Sequence, residues 1–342
     1  MNGRERILAM LAGDTPDHLP FMPFTMMFAA DHAGARYLEY CTDERVHAEA
    51  QLQVTRAYDI DHVSVTSDPC CEAADCGAAV KYFPDQPAAI DEARPLLSNR
   101  ETLRALKPPS PSEAPRMRSR LALIERMKRE AGAEKLVEGW VEGPCAEAAD
   151  LRGLNQLMLD FFDAPEFIGE IFEFTLGMAL EFGRAQIAAG ADLIGVGDAA
   201  ASLIGPEFYQ QFVWPYEKRL IEGLQAAGGR TRLHICGNTR PLLGAMGRLG
   251  SDIVDLDSLA PLDEARAQMG AGQVLLGNLD PVRVLRDGTP ASVYAAVAAC
   301  HRQAGARFIV GAGCEVPRDT PPENLRAMAR YAREHSSAAA RA

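Results

Sequence analysis

The chain is poor in positive charge. Only five of its 35 basic residues are lysine, and 47 acidic residues leave a net charge of −12. Non-specific nucleic-acid binding needs a surplus of cations against phosphate, so this balance excludes it. An anionic membrane surface would repel such a body. Long hydrophobic runs are also missing. Nothing approaches the ~20 apolar residues of a membrane span. The N-terminal MNGRERILAMLAGDTPDHLP has no apolar core of the kind a secretory signal carries. The expected compartment is therefore the cytoplasm. There the eight cysteines are reduced, and their spacing is read for metal or catalysis before disulfides. No predicted strand ends in a Gly-x-Gly-x-x-Gly phosphate turn, which argues against a doubly wound dinucleotide fold.

What the sequence does contain is ordinary globular material. Hydrophobic residues are 47% and charged residues 24% of 342, which rules out disorder as the main state. Eight short apolar runs recur: 21–25, 62–67, 135–142, 192–197, 231–236, 252–256, 273–279 and 307–311. Amphipathic stretches such as 166–189 and 206–227 lie between them. Short strands alternating with helices predict βαβ units around a parallel sheet. Eight units predict an α/β fold of the (β/α)8 TIM-barrel type, with an N-terminal helical extension in which Ile7, Leu8 and Leu11 share one side. One barrel domain is expected over 1–336, with a frayed tail at 337–342. The stretch 84–118, rich in Pro, Ser and charge, is expected as a surface excursion between the second and third strands.

A barrel concentrates its chemistry at the C-terminal ends of its strands. Those ends carry Asp68, Glu142, Asp198, His234 with Cys236, Asp257, Asn278 with Asp280, and Cys314 with Glu315. His234 and Cys236 are two apart on a predicted strand, so both side chains point to one face. Imidazole and thiolate are donors that zinc prefers, and Cys314 is the expected third ligand. Three protein ligands leave one tetrahedral position open, the pattern of a catalytic zinc. Two buried thiols and a core histidine are the alternative reading of the same residues. Cys70, Cys71 and Cys76 read as packing, as do Cys41 and Cys300, while Cys145 follows the third strand and is expected at the mouth. His18, His32, His47, His62, His301 and His335 lack a partner at metal spacing and are expected as surface or capping residues.

The stretches GADLIGVGDAAASLIGPEFYQQFVWPYEKRLIEGL, LLGNLDPVRVL and FIVGAGCEVPRDTPPENLRAM resemble the uroporphyrinogen decarboxylase superfamily. The resemblance covers nearly the whole chain and implies the (β/α)8 fold. One branch decarboxylates a tetrapyrrole and carries an arginine motif on its first strand. Here that stretch is PFMPFTMMFAADHAG, with no arginine before Arg36, although Asp68 falls where that branch keeps its catalytic aspartate. The other branch holds zinc with a His-x-Cys and a distant Cys, and moves methyl groups to or from a corrinoid. His234, Cys236 and Cys314 match it. The resemblance thus implies a zinc-dependent methyltransferase acting between the cobalt of a corrinoid protein and a small thiol acceptor or methyl donor. Tetrapyrrole decarboxylation is the alternative, and a non-enzymatic zinc-binding barrel is a remoter one. No Asp-x-His-x-x-Gly motif is present, so the corrinoid is expected on a separate carrier protein. Asp198, Glu142 and Asp68 are the catalytic candidates, and Asn278 is the candidate for contact with substrate or corrinoid. Tyr209 is expected to pack its helix.

Overall fold

A computed structural model describes residues 1–336, and the expected frayed tail at 337–342 lies outside them. The strands are β1 (His62–Ser64), β2 (Val80–Phe83), β3 (Gln86–Ile90), β4 (Leu136–Glu142), β5 (Leu193–Gly197), β6 (Arg230–Ile235), β7 (Ile253–Leu256), β8 (Val274–Leu279) and β9 (Phe308–Ala312). β1 and β4 to β9 form one parallel sheet in that order, with helices between successive strands. The sheet curls into the expected barrel. Among the described residues, no helix is long and apolar enough to cross a membrane.

The first predicted strand, 21–25, closes the barrel without forming a regular ladder. Phe21 bridges Val310 and Phe24 bridges Glu315. On the other side, the Asp61 N–H donates to the Phe21 carbonyl at 3.0 Å. Pro20 and Pro23 have no N–H to give, which breaks the run of ladder bonds.

Period-two alternation stacks the barrel interior in layers. β4 points Leu136, Glu138, Trp140 and Glu142 inward in ascending order, and β6 points Arg232 and His234. The lowest layer is apolar. There Leu136, Leu193, Ile253, Val274 and Ile309 pack with Ile7 and Met10 of the N-terminal helix Gly3–Ala12, which plugs the bottom. The middle layer is ionic. Arg232 bridges Glu138 at 2.9 Å and Asp255 at 2.7 Å, and all three are buried. Above them lies Trp140, whose indole crosses Gly195 and Gly197. A Cβ at either glycine would come within 2.6 Å of the ring, so β5 must be bare there.

The segment 84–118 is not a plain surface loop. It includes part of the antiparallel β2–β3 hairpin, a helix at Arg100–Ala105 and the start of the barrel helix Pro115–Ala131. Ala114 and Pro115 begin that helix inside the expected excursion, and it turns Arg116 and Arg120 inward. Its proline content marked a helix start as well as turns.

Candidate metal centre

The β6 strand carries His234 to the barrel mouth, and Cys236 follows it on the same face. Gly237 then turns the chain away at φ +88°, a conformation that costs glycine no Cβ clash. His234 Nε2 lies 2.9 Å from Cys236 Sγ, and Cys236 Sγ lies 3.7 Å from Cys314 Sγ. Cys314 arrives from the loop after β9. The three donor atoms lie within 4.8 Å of one another and can hold a metal ion. All eight cysteines are free.

Electrostatics prepare these donors. The hydrogen bond from Cys236, with His234 adding, brings Cys314 down to about 4 against the opposing effect of burial. Burial disfavours a charge on His234, yet Asp255 raises it to about 10. His234 Nδ1 lies 2.9 Å from Asp255 Oδ2, off the line of an ideal hydrogen bond. Burial also opposes charge on Asp255, but Arg232 and His234 outweigh it and hold the carboxyl below its usual range. Without a metal the centre therefore carries protons, and a cation must displace them to bind.

Asp255 was not among the residues that sequence reasoning singled out. It pairs in register with His234 across β6 and β7. Its signal was a charge inside an otherwise apolar strand, shared by Glu138 and Arg232. A carboxylate on the far nitrogen of a ligating histidine fixes its tautomer, and such partners are worth about 10–100-fold in metal affinity. Asp255→Asn is therefore expected to weaken metal binding by about that factor, measured by competition with a chelator. Unchanged affinity would remove Asp255 from the centre.

The other candidates are placed as follows. Glu142 lines the same chamber and accepts the Trp140 indole N–H at 2.9 Å. Burial, with Glu72 and Asp150 adding, pushes it well above the carboxylate range. Asp68 also faces the chamber, but Arg116 grips both its oxygens at 2.8 and 2.6 Å. That grip, outweighing burial, brings it down to about 2. Asp198 lies behind the wall, accepting the Ala146 N–H at 2.6 Å at the start of the helix Pro144–Arg152. Asn278 donates to the carbonyls of Asp257 at 3.0 Å and Ala260 at 2.6 Å, so its amide fixes a turn. Tyr209 is buried in its helix and donates to Glu217.

Several expectations for the lesser residues need correction. His47, His62 and His301 are buried core groups rather than surface or capping residues. His62 lies 3.6 Å from Glu138 because strand alternation points it into the barrel, and His47 stacks on Tyr40. Cys145 is sealed in the core beside Asp198 rather than lining the mouth.

A buried acidic group lies beside the chamber, and of its members only Glu142 stood out in the sequence. Glu72, Glu142, Glu147 and Asp150 share it, and both Glu147 oxygens lack a hydrogen-bond partner. Burial raises Glu72 to about 7 although it accepts the Glu142 backbone N–H. An unfolded glutamate gives up its proton near 4.5. Between these values the folded chain binds more protons than the unfolded one, so stability falls as pH rises from about 4.5 to 7. Glu72→Gln is expected to flatten this window in urea midpoints taken across it. A slope identical to the parent would sink the assignment.

Two connected spaces lead to the centre. The inner chamber, about 170 Å³, is walled by Phe24, Met26, Trp140, Glu142 and the three donors. It shares Glu142 and Cys236 with an outer vestibule of about 420 Å³.

The fold and site define a parallel α/β barrel with a thiolate–imidazole centre at its mouth. The uroporphyrinogen decarboxylase (URO-D) family model matches residues 2–335, and the chain belongs to that family. It is 28% identical to methylcobamide:CoM methyltransferase MtbA of Methanosarcina mazei, over 97% of this chain and 98% of that protein. It is 30% identical to the uroporphyrinogen decarboxylase of Thermobifida fusca, over 72% of this chain and 68% of that one. A solved methyltransferase from Methanosarcina mazei superposes with a TM-score of 0.85 at 19% identity, covering 98% of this chain and 99% of that one, which shows the shared fold.

Proposed function

We propose that this protein is a zinc-dependent methyltransferase, moving a methyl group between a small substrate and the cobalt of a corrinoid on a partner protein. The observation that carries this reading is the convergence of His234, Cys236 and Cys314 on one side of the chamber at the barrel mouth. The donor set fits zinc. Two Zn–S bonds of about 2.3 Å at the tetrahedral angle put their sulfurs about 3.8 Å apart. The Cys236 and Cys314 sulfurs are 3.7 Å apart. Near-full-length similarity to a methylcobamide:CoM methyltransferase supports the same reading.

Zinc at these donors supplies a place for the sulfur or oxygen of the substrate, holding a thiol as its thiolate or polarising a methyl ether. The protein's residues do the rest. Asp255 orients His234 so that Nε2 faces the chamber, and Arg232 keeps Asp255 ionised. Cys236 and Cys314 bind as thiolates and offset the metal's charge. Glu142, pushed well above the carboxylate range by burial, stands at the chamber wall to exchange a proton with the substrate. Asp68, tied to Arg116, holds the helix Pro115–Ala131 against the mouth. Asp198 and Asn278 act as positioning groups for the helix and turn they bind.

The family's other chemistry has less support. A tetrapyrrole bearing several carboxylates needs several cations, and among the described residues no lysine or arginine lines the chamber or vestibule.

The test is optical. Zinc-loaded protein is mixed with methylated or reduced cobalamin and with candidate thiols or methyl ethers. A change between the two cobalt spectra that depends on the protein is expected. Absence of any change, together with conversion of uroporphyrinogen to coproporphyrinogen, would overturn the reading.

A further inference from the structure

The walls of the inner chamber restrict what can sit against the centre. Phe24, Met26 and Trp140 present apolar faces. Burial pushes Glu142 well above the carboxylate range, which favours its protonated form. The arginines nearest to the chamber are committed, Arg120 to Asp68 and Ser67 among them. Arg116 is held by Asp68 at 2.6 Å. Arg232 lies beneath the aromatic floor, 5.2 Å from the Phe24 ring centre and 6.0 Å from that of Trp140, and it bridges Glu138 and Asp255. Among the described residues, no uncommitted cation faces either space. The outer vestibule adds Glu92 and Asp150.

An anion enclosed here would lose its water without gaining a counter-ion, and would face carboxyl groups as well. An apolar cavity of about 150 Å³ accommodates one benzene ring, so the chamber, about 170 Å³, takes the part of the substrate next to the centre, and a larger substrate extends into the vestibule.

We infer that the substrate is uncharged: a thiol, thioether or methyl ether without a carboxylate, sulfonate or phosphate. This rests on the proposed metal centre and names the class of molecule that centre receives. Apolar and acidic walls exclude the anionic tail, and Glu142 is one of the hydrogen-bonding groups, with Thr66 and Glu315, that a neutral one meets.

The experiment uses the full chain loaded with Co²⁺, whose visible absorption changes when a thiolate joins the ion. Two thiols of equal length are titrated, 2-mercaptoethanol and 2-mercaptoethanesulfonate. The uncharged thiol is expected to bind at least tenfold more tightly. Equal or tighter binding of the sulfonate overturns the inference. Met26→Lys, which places a cation at the chamber wall, is expected to narrow the preference at least threefold. An unchanged preference in a variant that still binds Co²⁺ would also overturn it, because charge would not be its cause. Failure of the parent protein to take up Co²⁺ would strike the metal centre itself, a different result from a reversed preference.

Discussion

Cys314→Ala is expected to purify with less than a tenth of the zinc of the parent and with methyl transfer reduced more than a hundredfold. The reasoning starts from the donor count. Three side chains reach the centre, and alanine leaves two, His234 and Cys236. Partners outside the ligand shell already cost about 10–100-fold when lost, so removal of a ligand costs more. Cys314 also contributes charge, since its thiol is the most acidic of the centre and pairs with His234. Zinc content by elemental analysis and transfer by the cobalamin spectrum are the two measurements. Cys300→Ala is the control, because Cys300 packs 3.7 Å from Asn278 and does not reach the centre. Full zinc in the Cys314 variant would remove this cysteine from the site and the proposed function with it.

Arg232→Met is expected to lower folding stability by about 3–5 kcal/mol, the usual cost of breaking a buried ion network on one side. Methionine replaces the apolar stem of the side chain but not its guanidinium, and leaves Glu138 and Asp255 buried without their cation. The cation–π contacts with Phe24 and Trp140 disappear as well. Guanidinium midpoints measure the effect. Glu138→Leu in the same chain is expected to recover part of the loss, since it removes one of the two stranded carboxylates. A variant as stable as the parent would mean that Glu138 and Asp255 hold protons and need no arginine. Metal affinity should fall together with stability, because Asp255 orients His234. That joint fall distinguishes this variant from an ordinary core substitution.

Much of the architecture was legible in the sequence. Seven of the eight apolar runs became strands of the main sheet, with ends shifted by at most three residues. The eighth, 21–25, was legible as extended chain, but its prolines allow only bridges. The His-x-Cys pair was legible because strand alternation is a local rule. Cys314 was harder. It is 78 residues from Cys236, and only the barrel's closure brings them together. Asp255, Arg232 and Glu138 were visible as charges in apolar strands, but nothing local said which charge meets which. Asp198 shows the reverse difficulty. Its place at a strand end suited a site, while its oxygens turned to the backbone N–H groups of Cys145 and Ala146 at the next helix.

By itself, the sequence determined the alternation of strands and helices, the acidic balance, and the pairing of an imidazole with a thiol on one strand face. These follow from periodicity and composition, which act over a few residues. Only the tertiary structure brought Cys314 beside that pair, set Asp255 against the histidine, and showed which charged groups are already spent. Those outcomes depend on the register between strands and on burial. Register sets Asp255 beside His234, and burial turns the carboxyl group around Glu72 and Glu142 from ordinary anions into proton carriers.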